Sequence, residues 1–140
     1  MRFMTSIDRI GEDIGNSFAA LFAHIGRCGA HPAGPPLALY FDEEFNPGQI
    51  DMAVCIPVTG QVAGGEGIEP TMLAGGLFAS TMHRGPYDTI RESYDRLVSW
   101  MENSDYSPAG PDREVYLTDP CQTSDPSELL TEILWPVNRA

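Results

Sequence analysis

The sequence predicts an α+β fold of two pseudo-symmetric β-α-β-β repeats, which form antiparallel sheets with two helices around a central groove. The main observation is a duplicated tetrapeptide, because Pro32-Ala33-Gly34-Pro35 recurs 76 residues later as Pro108-Ala109-Gly110-Pro111. At the same spacing Tyr40 matches Tyr116. A groove between two related halves is a natural place for a ligand.

A second match follows the tetrapeptide in each copy. Residues 54–58 resemble residues 133–137, and both stretches end in Pro-Val. The spacing is now 79, so the second copy has three extra residues in the intervening loop. Matching apolar positions on both sides of the tetrapeptide favour duplication over coincidence.

The first copy begins with a predicted helix over residues 7–28. Its apolar residues recur at steps of three and four, which is typical of an amphipathic helix. They are Ile7, Ile10, Ile14, Phe18, Leu21, Phe22 and Ile25. Thr5 and Asp8 have the spacing of a capping box, and Gly26 and Gly29 are stop signals. Strands are predicted over residues 37–41 and 50–58.

The sequence of the second copy predicts a complete β-α-β-β unit. A strand over residues 77–84 precedes Gly85-Pro86, and proline is favoured at the first position of a helix. The predicted buried stripe of this helix is Ile90, Tyr94, Leu97, Val98 and Met101. Strands follow over residues 114–118 and 129–137. In the first copy only residues 1–5 remain for the opening strand, so that strand is predicted to be truncated.

The chain is predicted to form one domain over residues 1–140. Repeat one covers residues 1–59, a glycine-rich connector covers residues 60–76, and repeat two covers residues 77–140. With 42% hydrophobic residues the chain should fold into a core, and no apolar run is long enough to span a membrane. The N-terminus has no signal-peptide pattern, so a cytoplasmic protein is expected.

The formal net charge of −12 disfavours direct binding to nucleic acid, because the chain repels phosphate backbones. Cys28, Cys55 and Cys121 are few and widely spaced, which predicts reduced thiols and no disulfide framework. The three histidines do not have metal-ligand spacing, so neither a metal nor another cofactor is expected.

Several motifs of the second copy resemble the GyrI-like small-molecule-binding domain (SOUL-type fold). They are His83-Arg84-Gly85-Pro86-Tyr87, Trp100, the second tetrapeptide, Glu114-Val115-Tyr116-Leu117, Thr131-Glu132-Ile133 and Pro136-Val137. That family includes effector-binding domains of multidrug-responsive transcription regulators and free-standing gyrase-inhibitory proteins. The resemblance implies two β-α-β-β repeats around a groove. The chain carries no helix-turn-helix segment, so it is similar to a stand-alone member.

Glu132 is the main candidate for a functional acid. It lies in an apolar stretch, and burying a carboxylate there is costly unless another group pairs with it. The residues alone also allow a solvent-facing glutamate on an edge strand. The resemblance implies that Glu132 meets cationic, aromatic ligands. The matching position in the first copy is Ala53, so only one acid is expected.

Four aromatic residues complete the predicted ligand-binding set. Tyr40 and Tyr116 each follow a tetrapeptide, Tyr87 precedes the second helix and Trp100 lies further along it. Flat aromatic faces can hold a planar cation, at about 0.5–2 kcal/mol for each close contact. They can equally be core residues, and Tyr94 is predicted to be one. We expect Glu132 near Tyr87, Tyr116 and Trp100.

The resulting prediction is a protein that binds a cationic or planar aromatic small molecule. One alternative is a hydrolase of cyclopropane-type toxins, with His83 as a candidate base, although no triad spacing supports a catalytic residue. Another is an acidic protein-interaction module, such as a gyrase-modulating protein. A short first strand leaves an open edge, which favours a homodimer or a protein partner.

Overall fold

The computed structural model describes residues 1–42, 46–118 and 125–139. Two compact units divide the chain, Met1–Ala74 and Gly75–Ala140. The boundary between them falls inside the predicted connector. Parts of the loops after Phe41 and Thr118, including Cys121, lie outside the described residues.

The first unit contains a three-stranded antiparallel sheet and one long helix. Its elements are β1 (Arg2–Thr5), α1 (Ile10–Arg27), β2 (His31–Pro32), β3 (Leu37–Tyr40), β4 (Ile50–Cys55) and β5 (Val58–Thr59). Strand β4 lies between β1 and β3, and it pairs antiparallel with both. The short strands β2 and β5 form a separate pair. The four main elements therefore follow the order β-α-β-β.

The second unit repeats this arrangement. Its elements are β6 (Phe78–Arg84), a 3-10 turn (Tyr87–Thr89), α2 (Ile90–Glu102), β7 (Tyr106–Pro108), β8 (Asp112–Tyr116), a second 3-10 turn (Pro126–Glu128) and β9 (Leu130–Arg139). Strand β9 lies between β6 and β8 and pairs antiparallel with both. Its C-terminal part also pairs with β7.

Strand register confirms the duplication residue by residue. Leu39 pairs with Ala53 in the first unit, and Val115 pairs with Glu132 in the second. These pairs are related by the spacings of 76 and 79 read from the sequence. The predicted α+β fold with two β-α-β-β repeats is therefore correct.

The duplicated tetrapeptide has the same structural role in both units. The amide N–H of Ala33 donates to the carbonyl oxygen of Pro57 at 2.8 Å, and Ala109 donates to Pro136 at 2.7 Å. Each tetrapeptide glycine also faces this proline, since a Cβ atom at Gly110 would lie 3.7 Å from the Pro136 ring. The turn is thus fixed to the last long strand of its unit, just after β4 in the first unit and within β9 in the second.

The helices bury equivalent residues. Helix α1 buries Ser17, Leu21 and Ile25, and α2 buries Ser93, Leu97 and Met101 at the matching positions. In the second unit Leu97 and Met101 pack against Ala79, Ile133 and Val137 of the sheet. Helix α2 therefore covers the sheet face formed by alternate residues of β6 and β9.

Three local predictions need correction. Helix α1 begins at Ile10, and its N-cap is Arg9 without a side-chain cap, so the capping box of Thr5 and Asp8 is wrong. Thr5 instead ends β1, and its hydroxyl donates to the Asp13 carboxylate. The predicted apolar stripe of the first helix also contains two residues that are not buried, because Ile7 is 53% and Phe22 47% exposed.

The C-terminal end of α1 and the length of β1 agree with the sequence-based predictions. Gly29, with a positive φ of 73°, follows the last turn of α1 and allows the chain to leave the helix. Strand β1 has four residues against seven in β6, as expected for a truncated first strand. Cys28 is a free thiol. Within the described ranges, neither helix is long and apolar enough to cross a membrane.

Candidate functional site

Two buried carboxyl groups and a tyrosine hydroxyl form a polar cluster in the second unit. The Tyr94 hydroxyl lies 2.8 Å from Asp112 Oδ2 and 2.6 Å from Glu114 Oε2. Asp112 and Glu114 are each only 7% exposed. We call Tyr94, Asp112, Glu114 and Tyr116 the acid–tyrosine cluster. Buried charges are rare in proteins unless other groups satisfy them, so this arrangement calls for an explanation.

Strand periodicity brings the cluster together. Asp112, Glu114 and Tyr116 alternate along β8, so their side chains point to one face of the sheet. Tyr94 lies on α2, one turn before the buried Leu97, and its hydroxyl meets this face. Arg113 and Val115 point to the opposite face, where the Arg113 guanidinium lies 4.8 Å from the centre of the Phe78 ring.

An aromatic pair connects the cluster to the surface. The Tyr116 hydroxyl donates to Glu114 Oε1 at 3.1 Å. The Tyr116 ring meets the Tyr87 ring edge to face, with centroids 5.8 Å apart. Tyr87 is 39% exposed, so two contacting aromatic rings link an exposed side chain to the Glu114 carboxylate. The Tyr94 ring makes a similar edge contact with Trp135, at 6.2 Å.

Burial changes the acidity of Asp112. Loss of hydration raises the pKa of the Asp112 carboxyl above its ordinary value, and this effect exceeds the opposing hydrogen bond with Tyr94. A carboxyl with a raised pKa retains its proton more readily at neutral pH. Perturbed carboxyls of this kind are typical of functional sites, although structural networks also produce them.

The turn that carries Tyr87 is held by a buried histidine. His83 is 5% exposed; its Nδ1 lies 2.8 Å from Ser93 Oγ, and its Nε2 lies 2.9 Å from the carbonyl oxygen of Pro86. Because a carbonyl can only accept, Nε2 carries a hydrogen and donates it to Pro86, and Nδ1 forms a hydrogen bond with the Ser93 hydroxyl. With both ring nitrogens engaged inside the protein, the geometry gives His83 a positioning role towards Tyr87.

Thr131 supplies a second unusual polar group on the same face. It pairs across the sheet with Tyr116 and is completely buried. Its hydroxyl finds no hydrogen-bond partner in the part of the chain that the structure describes. An unsatisfied buried hydroxyl costs about 1–3 kcal/mol, so it is uncommon in a region that serves only packing.

The first unit forms the same fold with other residues at three of the four cluster positions. At the positions that match Asp112, Glu114 and Tyr94 it has Pro36, Ala38 and Phe18. Ala38 is completely buried. The β-α-β-β fold therefore does not require two acids and a hydroxyl at these places, and their presence in one copy points to function.

The structure brings together only some of the predicted site residues. Tyr87 and Tyr116 are in contact, as described above. Trp100 is 51% exposed and stacks on Tyr106, with ring centroids 5.6 Å apart, beside a cavity of about 300 Å³ between α2 and β6. Trp100 is therefore not a core residue. Tyr40 ends β3 of the first unit, as Tyr116 ends β8.

Glu132 lies on the other face of the sheet from the acid–tyrosine cluster. It pairs with Met82 on one side and Val115 on the other, whereas Tyr116 pairs with its neighbour Thr131. Successive residues of a strand point to opposite faces, so Glu132 and Tyr116 do not share one. The ligand-binding role of Glu132 stays a prediction.

Sequence reasoning missed Asp112 and Glu114 and assigned Tyr94 to the core alone. The ring of Tyr94 does pack against the core, but its hydroxyl serves the cluster. A usable signal was present, because the two acids alternate with Arg113 at the β-strand period and are replaced by Pro36 and Ala38 in the other copy.

Among the described residues, no group of three potential metal ligands occurs.

Comparisons with known proteins agree with this fold. The chain superposes with a TM-score of 0.86 on EcmrR in the cryo-EM structure of an EcmrR–DNA complex, at 24% identity over 99% of this chain and 52% of that chain. It thus spans about half the length of that protein. The crystal structure of the EcmrR C-terminal domain matches with a TM-score of 0.78 and 26% identity, covering 89% of this chain and 84% of that domain.

A more distant neighbour shares the fold alone. It is an uncharacterized conserved protein from Listeria innocua, with a TM-score of 0.64 and 14% identity over 98% of this chain and 86% of that one. No match was found among curated proteins. The model of the GyrI-like small molecule binding domain matches residues 1–138. Because that match covers nearly the whole sequence, the chain belongs to the GyrI-like small-molecule-binding domain family.

Proposed function

We propose that this protein binds a cationic, planar small molecule with the acid–tyrosine cluster, and that Glu114 is the carboxylate that meets the positive charge. The observation that carries the proposal is the restriction of this cluster to the second unit. The first unit forms the same sheet and helix with Pro36, Ala38 and Phe18 at the matching positions. Family membership supports the ligand-binding role in general terms.

The geometry favours Glu114 over Asp112 as the charged group. Glu114 accepts hydrogen bonds from the hydroxyls of Tyr94 and Tyr116, and such bonds stabilise the ionised form of a carboxyl. The Tyr116 hydroxyl contacts Glu114 and the Tyr116 ring contacts the Tyr87 ring, and each close cation–π contact with such a ring is worth about 0.5–2 kcal/mol. In a site of low dielectric constant, a single carboxylate favours one positive charge strongly.

Thr131 supports a ligand with a polar group as well as a charge. Its buried hydroxyl is next to Tyr116 across the sheet. A ligand atom that hydrogen-bonds with this hydroxyl would offset the cost of burying it. The proposed ligand class is therefore a flat aromatic cation that carries at least one hydrogen-bonding substituent.

Calorimetry with two matched probes tests the proposal. N-methylquinolinium supplies a planar cation, and quinoline has the same ring system but is neutral at neutral pH. Glu114→Gln preserves the shape of the side chain and removes its charge. It should weaken binding of the cation by about 1.5–3 kcal/mol, which is roughly a 10- to 150-fold loss, and leave quinoline almost unaffected.

Glu132→Gln is the matched control, because it makes the same chemical change on the other face of the sheet. Binding of both probes should be unchanged in this variant. If Glu132→Gln weakens cation binding and Glu114→Gln does not, the functional acid is the one predicted from the sequence. Equal losses for the cation and the neutral probe in Glu114→Gln would show that Glu114 acts through structure.

A further inference from the structure

The Tyr94 hydroxyl lies between two carboxyl groups but has only one hydrogen to donate. It is 2.8 Å from Asp112 Oδ2 and 2.6 Å from Glu114 Oε2, both within hydrogen-bond range. If both carboxyls were ionised, one of these contacts would place two oxygen atoms together without a hydrogen between them. An additional proton on one carboxyl removes this conflict, because a protonated acid can donate to the tyrosine oxygen.

The surroundings decide which carboxyl holds the additional proton. Glu114 receives a further hydrogen bond from Tyr116, which favours its ionised form. Asp112 is deeply buried, and the resulting rise in its pKa favours its neutral form. The consistent arrangement is a chain of donors in which Asp112 donates to Tyr94 and Tyr94 donates to Glu114.

Among the described residues of this unit, the charged and titratable groups on neighbouring elements have partners of their own. On the same sheet face, His83 of β6 is engaged by Ser93 and Pro86. From α2, Arg96 donates to Ser93 Oγ, and Arg113 of β8 extends from the opposite face. Within the described part of β9, the residues on this face are neutral, namely Thr131, Ile133, Trp135 and Val137.

We infer that Asp112 and Glu114 hold one proton between them through Tyr94, so that the site presents a single negative charge and selects monovalent cations. Two independent observations support a built site: the three-oxygen geometry and the buried, unsatisfied hydroxyl of Thr131 on the same face. The inference on ligand charge rests on the proposed function, whereas the inference on the proton does not. Asp112 is thereby a specificity-determining residue: its proton sets the net charge of the site, while Glu114 makes the contact with the positively charged group of the ligand.

Nuclear magnetic resonance provides the first test. In protein labelled with ¹³C at the Asp and Glu carboxyls, one carboxyl carbon should have the chemical shift of a protonated acid at neutral pH. Asp112→Asn should remove that resonance. A spectrum in which every carboxyl carbon of the wild-type protein is ionised at neutral pH overturns the inference.

Binding of N-methylquinolinium provides the second test. Asparagine at position 112 can donate the same hydrogen bond to Tyr94 and keeps the single charge, so Asp112→Asn should change the affinities for N-methylquinolinium and for neutral quinoline by the same factor, within about threefold of each other. If both acids were ionised in the wild-type protein, Asp112→Asn would remove one of two charges and weaken binding tenfold or more. That outcome overturns the inference while cation binding itself stands.

The two proposals can fail separately. If N-methylquinolinium does not bind but the protonated carboxyl is present, the proposed function is wrong and the shared proton stands. The wild-type spectrum needs no variant, so the inference remains testable even if Asp112→Asn fails to fold.

Discussion

Replacing Tyr94 with phenylalanine should destabilise the second unit more than the loss of one exposed hydroxyl would. The change removes only the bridging oxygen and keeps the ring that packs against Trp135. It also recreates the residue that the first unit has at the matching position, Phe18. Any effect therefore comes from the carboxyls that the hydroxyl satisfies and not from a loss of packing.

The expected size follows from the contacts. The Tyr94 hydroxyl makes two buried hydrogen bonds with acids that are each 7% exposed. A hydrogen bond to a charged group contributes about 1.5–3 kcal/mol, and a neutral one about 0.5–1.5 kcal/mol. Asp112 and Glu114 keep their other interactions, so the lower part of the sum applies. We expect the free energy of unfolding to fall by about 2–3 kcal/mol.

Urea unfolding followed by circular dichroism measures this change, with Tyr106→Phe as the control. The Tyr106 ring stacks on Trp100, and its hydroxyl is not part of the acid–tyrosine cluster, so its variant should be nearly neutral. The triple variant Tyr94→Phe, Asp112→Ala, Glu114→Ala provides a stronger test, because it removes the hydroxyl together with the acids that need it. Its loss should be smaller than the sum of the three single losses by about 1–3 kcal/mol.

Strict additivity of the three changes would refute this reasoning. It would mean that the acids are satisfied independently of Tyr94, and that the short contacts contribute nothing as a unit. A Tyr94→Phe variant as stable as the wild-type protein would lead to the same conclusion.

Three further predictions concern the same unit. The folded-state pKa of Asp112 is raised, so its contribution to stability is fully present below the ordinary aspartate range and is lost as pH rises through the folded pKa. Asp112→Asn should therefore flatten the decline of Tm with rising pH, and an unchanged pH profile would contradict this. Thr131→Val replaces a buried, unsatisfied hydroxyl with a methyl group of similar size, so denaturant unfolding should show a gain of about 1 kcal/mol, and a loss of stability would contradict this. Gly110→Ala should be tolerated, with a change in stability of at most about 1 kcal/mol in either direction, because its new Cβ would lie 3.7 Å from the Pro136 ring at an ordinary contact distance; a large loss in thermal unfolding would contradict the described turn geometry.

Much of the fold was predictable because the sequence contains an internal duplication, so each half supports the prediction made for the other. The tetrapeptide and the matching apolar positions around it predicted two equivalent units, and the equivalent pairings of Leu39 with Ala53 and of Val115 with Glu132 agree with that prediction. Errors concentrated at the helix start, where Thr5 and Asp8 have capping spacing but Thr5 lies in β1 instead. The capping spacing is a local pattern, and the pairing of Thr5 with Ile50 across the sheet outweighed it.

The candidate site was less predictable, and the reason is physical. Glu132 attracted attention because it is surrounded in sequence by apolar residues, but neighbours in a strand alternate between faces. The relevant neighbours are those across the sheet and on the helix, and for Glu114 these include the hydroxyl of Tyr94. That hydroxyl could be assigned only once the crossing of α2 over β8 was known, since helical spacing had already placed the ring of Tyr94 in the core.

The edge contact between Tyr94 and Trp135 gives this protein an optical reporter of its own. The chain has two tryptophans, and only Trp135 touches the acid–tyrosine cluster. Trp100 is 51% exposed and therefore open to a soluble quencher. In a Trp100→Phe background the remaining indole emission would come from Trp135 alone, so ligand entry or a change of protonation at the cluster could be followed by fluorescence in unlabelled protein.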